Sequence, residues 1–367
     1  MRQTATGLKT GLLLDKLRHQ IDEIDQEIFE LLLRRQVLAQ QIGEEKKRLG
    51  LDVMDIAREQ EVMEGLVGRA RPPLTPRSLR AIYTEIISAA RSVQEPLKVS
   101  YLGPEGSFCH EAARELFGHS VRLFSHGTVE DIFSIVEKAQ CDMGVVPIEN
   151  SSQGSVGITL DLFYDYDLKI QAEIFIRIRH QLLSKEEAID SVHTVYSHPM
   201  ALSQCRTWLR EHLPGVKILE ATSTSEAACR ASEGDGLGAI GSQMAAEVYG
   251  LKVLANGIED RPGNITRFVA IGKNATKRAK ENKTSILFSL PHKPGALSTA
   301  ISPLARRGIN MTRIESRPAR AKPWEYLFFV DIEGHREDKV VREALWEIRQ
   351  VCSYFKNLGS YPKGGEP

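Results

Sequence analysis

The stretch NITRFVAIG, residues 264–272, predicts a β-strand that is apolar along most of its length but begins with polar side chains. Side chains alternate along a strand, so Arg267 shares a face with Val269. Thr266 points to the opposite face, together with Phe268. Neither face has the pattern of a solvated surface, so the hydroxyl and the guanidinium at the start of this strand mark a candidate functional site.

Short strands and amphipathic helices alternate through the part of the chain before this strand, from about residue 98 onward. The predicted strands are KVSYLG, VRLFS, DMGVVPI, HTVYS, VKILEA and LGAI, and helices such as TVEDIFSIVEKA and PMALSQCRTWLREHL separate them. This alternation predicts α/β layers with mostly parallel sheets. The segment is long enough for two lobes.

Polar clusters follow four of these strands, namely GPEGSF, ENSSQGS, SHPMALSQ and TSTSEAA. Strand ends that lead into helix N-termini bind anions in open α/β sheets, because the helix amides there are unpaired. Ser, Thr and Asn are also the usual helix caps, and for any single cluster capping is an equally good interpretation. Four clusters together with NITRF favour a binding cleft.

Composition limits the classes of function. The chain has 367 residues, 42% of them hydrophobic, and its 48 basic residues balance 48 acidic ones. A length of roughly 150 residues per domain predicts two or three domains. The absence of a basic surplus argues against a nucleic-acid partner, and no run approaches the roughly 18 apolar residues of a membrane span. The five scattered cysteines favour a reducing cytoplasm and no metal site.

The N-terminal region predicts one long helix, from about Leu14 to Leu49, with apolar residues at heptad spacing. Such a helix is roughly 50 Å long, which is longer than a small domain is wide, so we expect it to pack against a second chain. Arg35 occupies one position of the apolar seam, and Lys46 returns to nearly the same face. The seam consists of Leu14, Leu17, Ile21, Ile24, Ile28, Leu31, Leu38 and Ile42.

Arg35 alone is open to a second interpretation, as a polar residue that sets the register of a coiled coil. Two buried cations on one face need an anion between them, and Lys46 is the second, so an anionic ligand is favoured. Arg18 lies roughly 25 Å from Arg35 along the same helix. It can therefore join such a site only from the other subunit.

Two further helices follow. MDIAREQEVMEGLV places Asp55, Arg58 and Glu59 on one helical face, which is either a solvated salt-bridged surface or one wall of the same site. SLRAIYTEIISAARSVQ has its own apolar stripe and ends near Gln94.

LRHQIDEID, LLLRRQVLAQQIGEEKKR and DIAREQE resemble the all-helical chorismate mutase domain in residue type and spacing. Chorismate is a dianion that rearranges pericyclically, so the resemblance implies arginines that clamp its carboxylates rather than a nucleophile or base. It also implies that Lys46 and Gln94 donate to the ether oxygen as the C–O bond breaks, and that Glu59 holds the ring hydroxyl. The implied contacts are Arg18 of the other chain, Arg35, Lys46, Asp55, Arg58, Glu59, Ala90 and Gln94, with Arg35, Lys46 and Gln94 as catalytic; some members carry Ser where this chain has Ala90.

YLGPEGSF, VVPIENSS, YSHPMALSQC and NITRF, in this order, resemble prephenate dehydratase, a family with two α/β subdomains and an active site in the cleft between them. Prephenate, the product of the mutase, becomes aromatic when it loses CO2 and water. The enzyme therefore needs only to bind its carboxylates and assist the departing hydroxyl. The resemblance implies Thr266 as the catalytic donor to that hydroxyl, with Arg267 facing the other way to hold the site in shape or pair with an anion. The implied contacts are Glu149, Asn150, Ser197, Gln204, Thr266 and Arg267.

The polar, cationic stretch KNATKRAKENKT, residues 273–284, predicts a linker. Beyond it the order strand, helix, strand, strand, helix, strand predicts a ferredoxin-like domain. PGALS and IESRP resemble the paired motifs of the phenylalanine-binding ACT domain, and Gly295 opens a helix whose free amides can receive a carboxylate. The resemblance implies that L-Phe bound between paired ACT domains inhibits the dehydratase, with candidate contacts Gly295, Ala296, Leu297, Asn310, Glu315 and Ser316.

The three parts together predict a multidomain protein, with an all-α helical mutase domain at 1–96, an α/β two-subdomain dehydratase domain at 97–273 and an α+β ferredoxin-like ACT domain at 284–362. We expect a cytoplasmic homodimer or higher homo-oligomer that converts chorismate to prephenate and then to phenylpyruvate. L-Phe is the expected effector, and no cofactor, metal, nucleic acid or membrane is expected. Three alternatives stay open: a non-catalytic ligand sensor, an inactive mutase domain, and arogenate as the second substrate.

Overall fold

The computed structural model describes residues 4–318 and 325–365. Three helices form the N-terminal part: α1, Thr4–Arg48; α2, Ile56–Val67; and α3, Pro76–Ser92. The sequence pattern predicted a start of α1 near Leu14, but the helix begins ten residues earlier. Residues 4–13 contain no proline, the strongest helix breaker, so nothing local ends the helix at the heptad boundary.

The apolar seam of α1 is uncovered in the single chain. The C-terminal half of the helix packs along α3, and there Ala39 is buried. Leu17, Ile24 and Leu31, farther towards the N-terminus, each have about half of their surface exposed. An exposed apolar row of this length is typical of a protein–protein interface.

Two α/β lobes follow the helices. The first lobe begins with strands β1 Lys98–Leu102, β2 Arg122–His126, β3 Met143–Asn150, β4 Gly154–Ser155 and β5 Lys169–Arg177, and helices α4 Phe108–Phe117, α5 Val129–Glu137 and α6 Gly157–Asp165. The second lobe contains strands β6 Gln181–Ser184, β7 Thr194–Ser197, β8 Lys217–Glu220, β9 Leu237–Gly241 and β10 Lys252–Asn256, and helices α7 Pro199–Gln204, α8 Arg206–His212, α9 Thr224–Ala231 and α10 Gln243–Tyr249. The chain then returns to the first lobe as β11, Ile265–Gly272.

Both lobes have mixed sheets. The strand order is β2-β1-β3-β11-β5 in the first lobe, with β4 beside β3, and β10-β6-β9-β7-β8 in the second. β11 is antiparallel to β3 and β5, and β6 is antiparallel to β9 and β10. The prediction of mostly parallel sheets was therefore wrong. The chain crosses to the second lobe and comes back, so each sheet receives strands that run in both directions.

Strand β11 lies inside the first sheet, which confirms the strand predicted from NITRFVAIG. Its apolar residues from Phe268 to Ile271 are all buried. The register places Thr266 beside Asn150 of β3, and Arg267 beside Glu149. The polar start of β11 therefore lies at the same edge of the sheet as the polar end of β3.

The C-terminal domain has the predicted ferredoxin-like order. Its elements are β12 Asn282–Ser289, α11 Ala296–Arg306, β13 Met311–Pro318, β14 Tyr326–Glu333, α12 Lys339–Val351 and β15 Tyr354–Pro362, and the sheet order is β13-β14-β12-β15. β12 begins at Asn282, inside the stretch that the sequence predicted as a linker. The polar side chains from Asn282 to Ser285 are buried here, so local polarity gave the wrong boundary.

The C-terminal domain packs directly on the first lobe. Gly359 of β15 has a φ of 135°, and a Cβ there would lie 2.3 Å from the carbonyl oxygen of Ile170 in β5. Only glycine fits such an approach of two backbones. Ile170 also belongs to one continuous apolar cluster with Phe163 of α6 and with Leu287 and Phe329 of the C-terminal sheet. The two domains therefore share a core.

Candidate active sites and effector site

The first candidate site lies where α1, α2 and α3 meet. Arg35 Nη1 donates to the carbonyl of Ile86 in α3 at 3.2 Å, and Lys46 Nζ donates to the carbonyl of Val53 at 2.6 Å. Both side chains are half-buried. Two cations of α1 therefore face the interior of the helical part, as the helical spacing predicted.

Two carboxylates face these cations from α2. Asp55 caps the helix by accepting from the backbone nitrogen of Arg58 at 3.2 Å, and it accepts from Lys277 at 2.7 Å. Glu59, one turn later, lies 3.2 Å from Nε of Arg91 in α3. Burial raises the pKa of Glu59, while Arg91 and the other nearby cations oppose that shift. The site thus holds charges of both signs, and most of the positive charge comes from α1 and α3.

Gln94 reaches the site because α1 carries a glycine opposite it. A Cβ on Gly43 would lie 2.7 Å from Cγ of Gln94. Nε2 of Gln94 donates to the carbonyl of Ala90 at 3.0 Å, and its Oε1 is buried without a hydrogen-bond partner among the described residues. The backbone carbonyl of Ala90 is therefore already hydrogen-bonded to the side chain of Gln94.

Two predicted contacts lie outside this cluster in the single chain. Arg18 is 67% exposed, and its guanidinium lies 3.6 Å from Asp15. Arg58 is 65% exposed and pairs with Glu61 at 2.5 Å. The helical rise separates Arg18 from Arg35 by about 25 Å. The single chain therefore assembles only part of the predicted site.

The second candidate site lies at the start of β11. Asn150 donates from Nδ2 to Thr266 Oγ1 at 2.8 Å and to Oδ1 of Asn264 at 2.7 Å. Its Oδ1 accepts from the backbone nitrogens of Ser152 and Gln153 at 2.9 and 3.1 Å. The amide is thus held at both ends. Because Thr266 Oγ1 accepts from Asn150, its own proton remains available for another acceptor.

Gln204 and Ser197 come from the second lobe. Gln204 Oε1 lies 2.7 Å from Nε2 of His180, and burial lowers the pKa of His180. Phe108 of the first lobe packs edge-on against His180, with ring centroids 6.3 Å apart, which brings the GPEGSF loop beside Gln204. Ser197 is fully buried, and its hydroxyl donates to the carbonyl of Ile240 at 2.8 Å. In this position Ser197 braces the second sheet.

Arg267 points away from Thr266, into the interface with the C-terminal domain. Its Nε donates to Glu173 of β5 at 2.7 Å, Nη1 to Asp331 of β14 at 2.6 Å, and Nη2 to the hydroxyl of Tyr361 at 2.9 Å. Burial by itself lowers the pKa of Arg267, but Asp331, Tyr361 and Glu173 raise it well above its ordinary value. Burial alone would raise the pKa of Asp331, and Arg267 lowers it instead. The anions paired with Arg267 are therefore side chains of this protein.

The ionic cluster around Arg267 extends to the dehydratase candidates. Lys283 of β12 lies 2.8 Å from Glu173. Arg313 of β13 lies 3.5 Å from Glu149, and Arg267 lies 3.6 Å from the same carboxylate. Glu149 is the chain neighbour of Asn150. The C-terminal domain thus contacts a residue that adjoins the partner of Thr266.

Gly295, Ala296 and Leu297 lie at the start of α11. Gly295 has a φ of 75°, in the left-handed region, and a Cβ there would meet nothing within 4 Å. Backbone conformation, and not lack of space, therefore favours glycine at this position. Asn310 precedes β13, and its carbonyl accepts from the backbone nitrogen of Glu333 at 3.0 Å.

Glu315 and Ser316 lie on β13, an edge strand of the C-terminal sheet. Arg313 and Arg317 lie on the same face of the strand as Glu315 and contact the first lobe. Arg313 donates to Ser155 at 2.6 Å and Arg317 to Asp161 at 2.7 Å. Ser316 is exposed on the other face. The strand therefore sends the side chains of the two predicted contacts in opposite directions.

A cavity of about 410 Å³ lies between the helices and the first lobe, lined in part by Lys46, Asp55, Arg91 and residues 273–277. Within residues 4–318 and 325–365, no group of three or more His, Cys, Asp or Glu side chains is placed to hold a metal ion. Over the same residues, every helix is too short or too polar to span a membrane.

Comparison with known families assigns all three parts. Residues 17–95 match chorismate mutase type II, residues 99–276 match prephenate dehydratase, and residues 284–348 match the ACT domain. A bifunctional chorismate mutase/prephenate dehydratase of Aquifex aeolicus (strain VF5) is 44% identical over 357 residues, which cover 95% of this chain and 98% of the relative. The chain belongs to the bifunctional chorismate mutase/prephenate dehydratase family. It is an enzyme with both activities, and the alternative of a non-catalytic ligand sensor is excluded.

Two further relatives agree. The bifunctional chorismate mutase/prephenate dehydratase of Neisseria gonorrhoeae (strain ATCC 700825 / FA 1090) is 40% identical, over 94% of this chain and 96% of its own length. The crystal structure of a prephenate dehydratase from Arthrobacter aurescens, in complex with L-Phe, has a TM-score of 0.67 and 32% identity, and the match covers 73% of this chain and 90% of that one. The predicted fold class, with helical mutase, α/β dehydratase and ferredoxin-like ACT domains, is confirmed.

Sequence reasoning missed several residues that the folded enzyme brings to these sites. His180 follows a strand that was not predicted, so no pattern pointed to it. Asp331 interrupts the apolar strand EYLFFVDIEG, and Arg91 interrupts the apolar helix face of IISAARSVQ. A lone charge inside a predicted apolar element was the available signal for both.

Replacement of Arg267 by methionine is expected to loosen the contact between the ACT and dehydratase domains. The variant leaves Asp331 buried without the guanidinium that pairs with it, and leaves Glu173 with Lys283 alone. Removing one partner of a buried ion pair costs about 3–5 kcal/mol. We expect a clear fall in Tm by calorimetry, with the C-terminal domain more sensitive to proteolysis. Arg122→Met, on the exposed start of β2, is the matched control. Equal Tm values for the two variants would contradict the role of Arg267.

Proposed function

We propose that the mutase reaction takes place between α1, α2 and α3, and the dehydratase reaction at the start of β11. The proposed mutase contacts are Arg18, Arg35, Lys46, Asp55, Arg58, Glu59, Ala90 and Gln94. The proposed dehydratase contacts are Glu149, Asn150, Gln204 and Thr266, whereas Ser197 and Arg267, predicted as contacts, are buried and paired within the protein and support the site. The hydrogen bond from Asn150 to Thr266 Oγ1 is the observation that carries the dehydratase site.

Chorismate needs no acid or base to rearrange, so the mutase site works by orientation and charge. Arg35 and Lys46 leave their backbone acceptors to bind the carboxylates and the ether oxygen, since both hold only neutral carbonyls in the free enzyme. Gln94 turns its amide from Ala90 towards the ether oxygen, where negative charge develops in the transition state. The Glu59 carboxylate accepts a hydrogen bond from the ring hydroxyl.

In the dehydratase reaction, prephenate loses its ring carboxylate as CO2, and the electron pair expels the ring hydroxyl. Asn150 fixes the Thr266 oxygen by donating to it. The Thr266 hydroxyl donates a hydrogen bond to the departing hydroxide, which takes a proton from solvent and leaves as water while the ring becomes aromatic. Arg267 and Glu149 hold the position of β11 against β3 through the buried ionic cluster. Prephenate, rather than arogenate, is the proposed substrate.

A second copy of the chain completes the mutase site. The uncovered apolar row on α1 supports this, because it runs along the segment that carries Arg18. In an antiparallel pair of α1 helices, Arg18 of each chain lies near Arg35 of the other, which removes the separation of about 25 Å within one chain. The proposed assembly is a homodimer or a larger homo-oligomer of it, in the cytoplasm.

The ACT domain is the proposed L-Phe sensor, with Gly295, Ala296, Leu297, Asn310, Glu315 and Ser316 as contacts. The likeness to a dehydratase crystallised with L-Phe supports this assignment. Feedback needs L-Phe to favour one of two conformations. Strand β13 offers a route, because it carries two proposed contacts and its Arg313 reaches Glu149 beside Asn150. The proposed domain limits are 1–96, 97–273 and 282–362, where the predicted start at 284 moves to the first residue of β12.

Thr266→Ala is expected to lower the dehydratase kcat by about 10²–10⁴-fold, because it removes the directed donor to the leaving hydroxyl. Thr266→Ser keeps a hydroxyl and should retain most of the activity. Phenylpyruvate formation from added prephenate measures the effect, and loss of chorismate in the same samples should stay within about twofold. A parallel fall of both activities in Thr266→Ala would show that Thr266 serves folding and not catalysis.

The shared mutase site predicts complementation between two inactive variants. Arg18→Ala and Arg35→Ala homodimers should each lose most chorismate mutase activity. Refolded mixtures should contain heterodimers with one intact site, so about a quarter of the parent activity is expected in an equal mixture. The matched control mixes Arg18→Ala with itself at the same total concentration. A mixture no more active than its components would contradict a site built from two chains.

L-Phe is expected to inhibit phenylpyruvate formation in the parent enzyme. Asn310→Ala should weaken L-Phe binding by about tenfold in calorimetric titrations and shift inhibition in parallel, because it removes a polar side chain at the edge of the effector site. Gln350→Ala, on the exposed face of α12, is the control. Unchanged binding in Asn310→Ala, or a parent enzyme indifferent to L-Phe, would place the effector elsewhere.

A further inference from the structure

We propose that Arg91 is a positioning residue of the mutase site, which holds the Glu59 carboxylate in place and is itself held by the dehydratase domain. The proposal rests on the role assigned above to Glu59. Arg91 is not among the contacts that the family resemblance implies. Its contacts make the dehydratase domain part of the support for the mutase site.

Arg91 lies in α3, beside Ala90, with only 4% of its surface exposed. One side of its guanidinium faces the mutase site, where Nε lies 3.2 Å from Oε1 of Glu59. The other side faces α4 of the dehydratase domain. There Nη2 donates to the carbonyl of Phe117 at 3.2 Å, and the guanidinium carbon lies 5.6 Å from the centre of the Phe117 ring. Arg91 therefore bridges the two domains.

The accessibility of the atoms indicates how Arg91 acts. Its Nε and Nη1 are shielded from solvent and have no aligned hydrogen-bond partner among the described residues. A substrate cannot touch them without displacing protein atoms. Glu59, in contrast, keeps 26% of its side chain exposed. The charge of Arg91 thus reaches chorismate through Glu59 and not by direct contact.

The electrostatic environment gives Arg91 a second role. Burial raises the pKa of Glu59, Arg91 is the strongest opposing charge, Lys46 and Arg35 also lower it, and Asp55 raises it. Only the ionised carboxylate is a pure acceptor for the ring hydroxyl of chorismate. Arg91 therefore favours the ionised form of Glu59 as well as its position.

The experiment compares Arg91→Met with Arg91→Lys in the full-length enzyme. Methionine fills the space without charge, and we expect mutase kcat/KM to fall by about tenfold or more, mainly in kcat. Arg91→Lys keeps the positive charge but lacks the planar guanidinium, so it should retain part of the mutase kcat/KM that Arg91→Met loses. Phenylpyruvate formation from added prephenate, measured in the same samples, should stay within about twofold. Equal losses of both activities in the two variants would overturn the proposal in favour of a purely structural role.

A double-mutant cycle with Glu59→Gln separates this proposal from the role of Glu59 itself. If Arg91 acts through Glu59, Arg91→Met in the Glu59→Gln background should change mutase kcat/KM by no more than about twofold. An undiminished effect in that background would overturn the proposal and leave the role of Glu59 intact. A Glu59→Gln single variant with parent activity would instead contradict the role of Glu59 in the mutase site.

The pH profile gives a readout that simple loss of packing does not move. Removing Arg91 raises the pKa of Glu59 further, so the ionised fraction falls first on the acid side. Mutase activity of Arg91→Met should therefore be lost at higher pH than in the parent, in a series from about pH 5.5 to 8.5. Coincident profiles after normalisation would contradict the electrostatic role of Arg91.

Phe117→Leu tests the support from the dehydratase domain. It removes the ring below the guanidinium but keeps the backbone carbonyl that accepts from Nη2. We expect a smaller loss of mutase kcat, of about two- to fivefold, with dehydratase activity retained. Parent mutase activity in this variant would show that α4 does not hold Arg91.

Discussion

Arg267 places a full positive charge between the dehydratase sheet and the ACT sheet, where solvent scarcely reaches it. A guanidinium in such a place is tolerated only if anions surround it, because the cost of its lost hydration has to be offset by pairing. Glu173 supplies one anion from the dehydratase side and Asp331 the other from the ACT side. The ion pairs of Arg267 thus join the two domains, and Gly359 allows the backbones to approach closely.

The opposite face of the same strand carries Thr266, the proposed catalytic residue. Alternation along β11 sends Thr266 towards Asn150 and Arg267 towards the ACT domain. A shift of the ACT sheet against Arg267 and Glu149 would thus act on the strand that carries the Thr266 hydroxyl and on the chain neighbour of Asn150. The proposed regulation then needs no long pathway, since the ACT domain and the proposed catalytic residue lie on two sides of one strand.

The proposed mutase site is less self-contained. Its cations come from α1, its acids from α2 and its amide from α3, yet Arg18 is remote in the single chain and Arg91 depends on α4 of the next domain. The proposed site therefore draws on its own helices and on the dehydratase domain, and in the proposed dimer also on a second copy of the chain. In the proposed arrangement the dehydratase domain supports a charge of the mutase site, since Phe117 of α4 contacts Arg91.

Periodicity alone predicted the helix of Arg35 and Lys46, the strand of Thr266 and Arg267, and the order of elements in the ACT domain. These features depend on neighbours along the chain, and short-range pattern encodes which face a side chain occupies. The tertiary structure decided the partners: Asp331 and Tyr361 for Arg267, Phe117 for Arg91, and the antiparallel direction of β11. Such pairings join residues far apart in sequence. They form only in the folded protein, where an unpaired buried charge would be too costly.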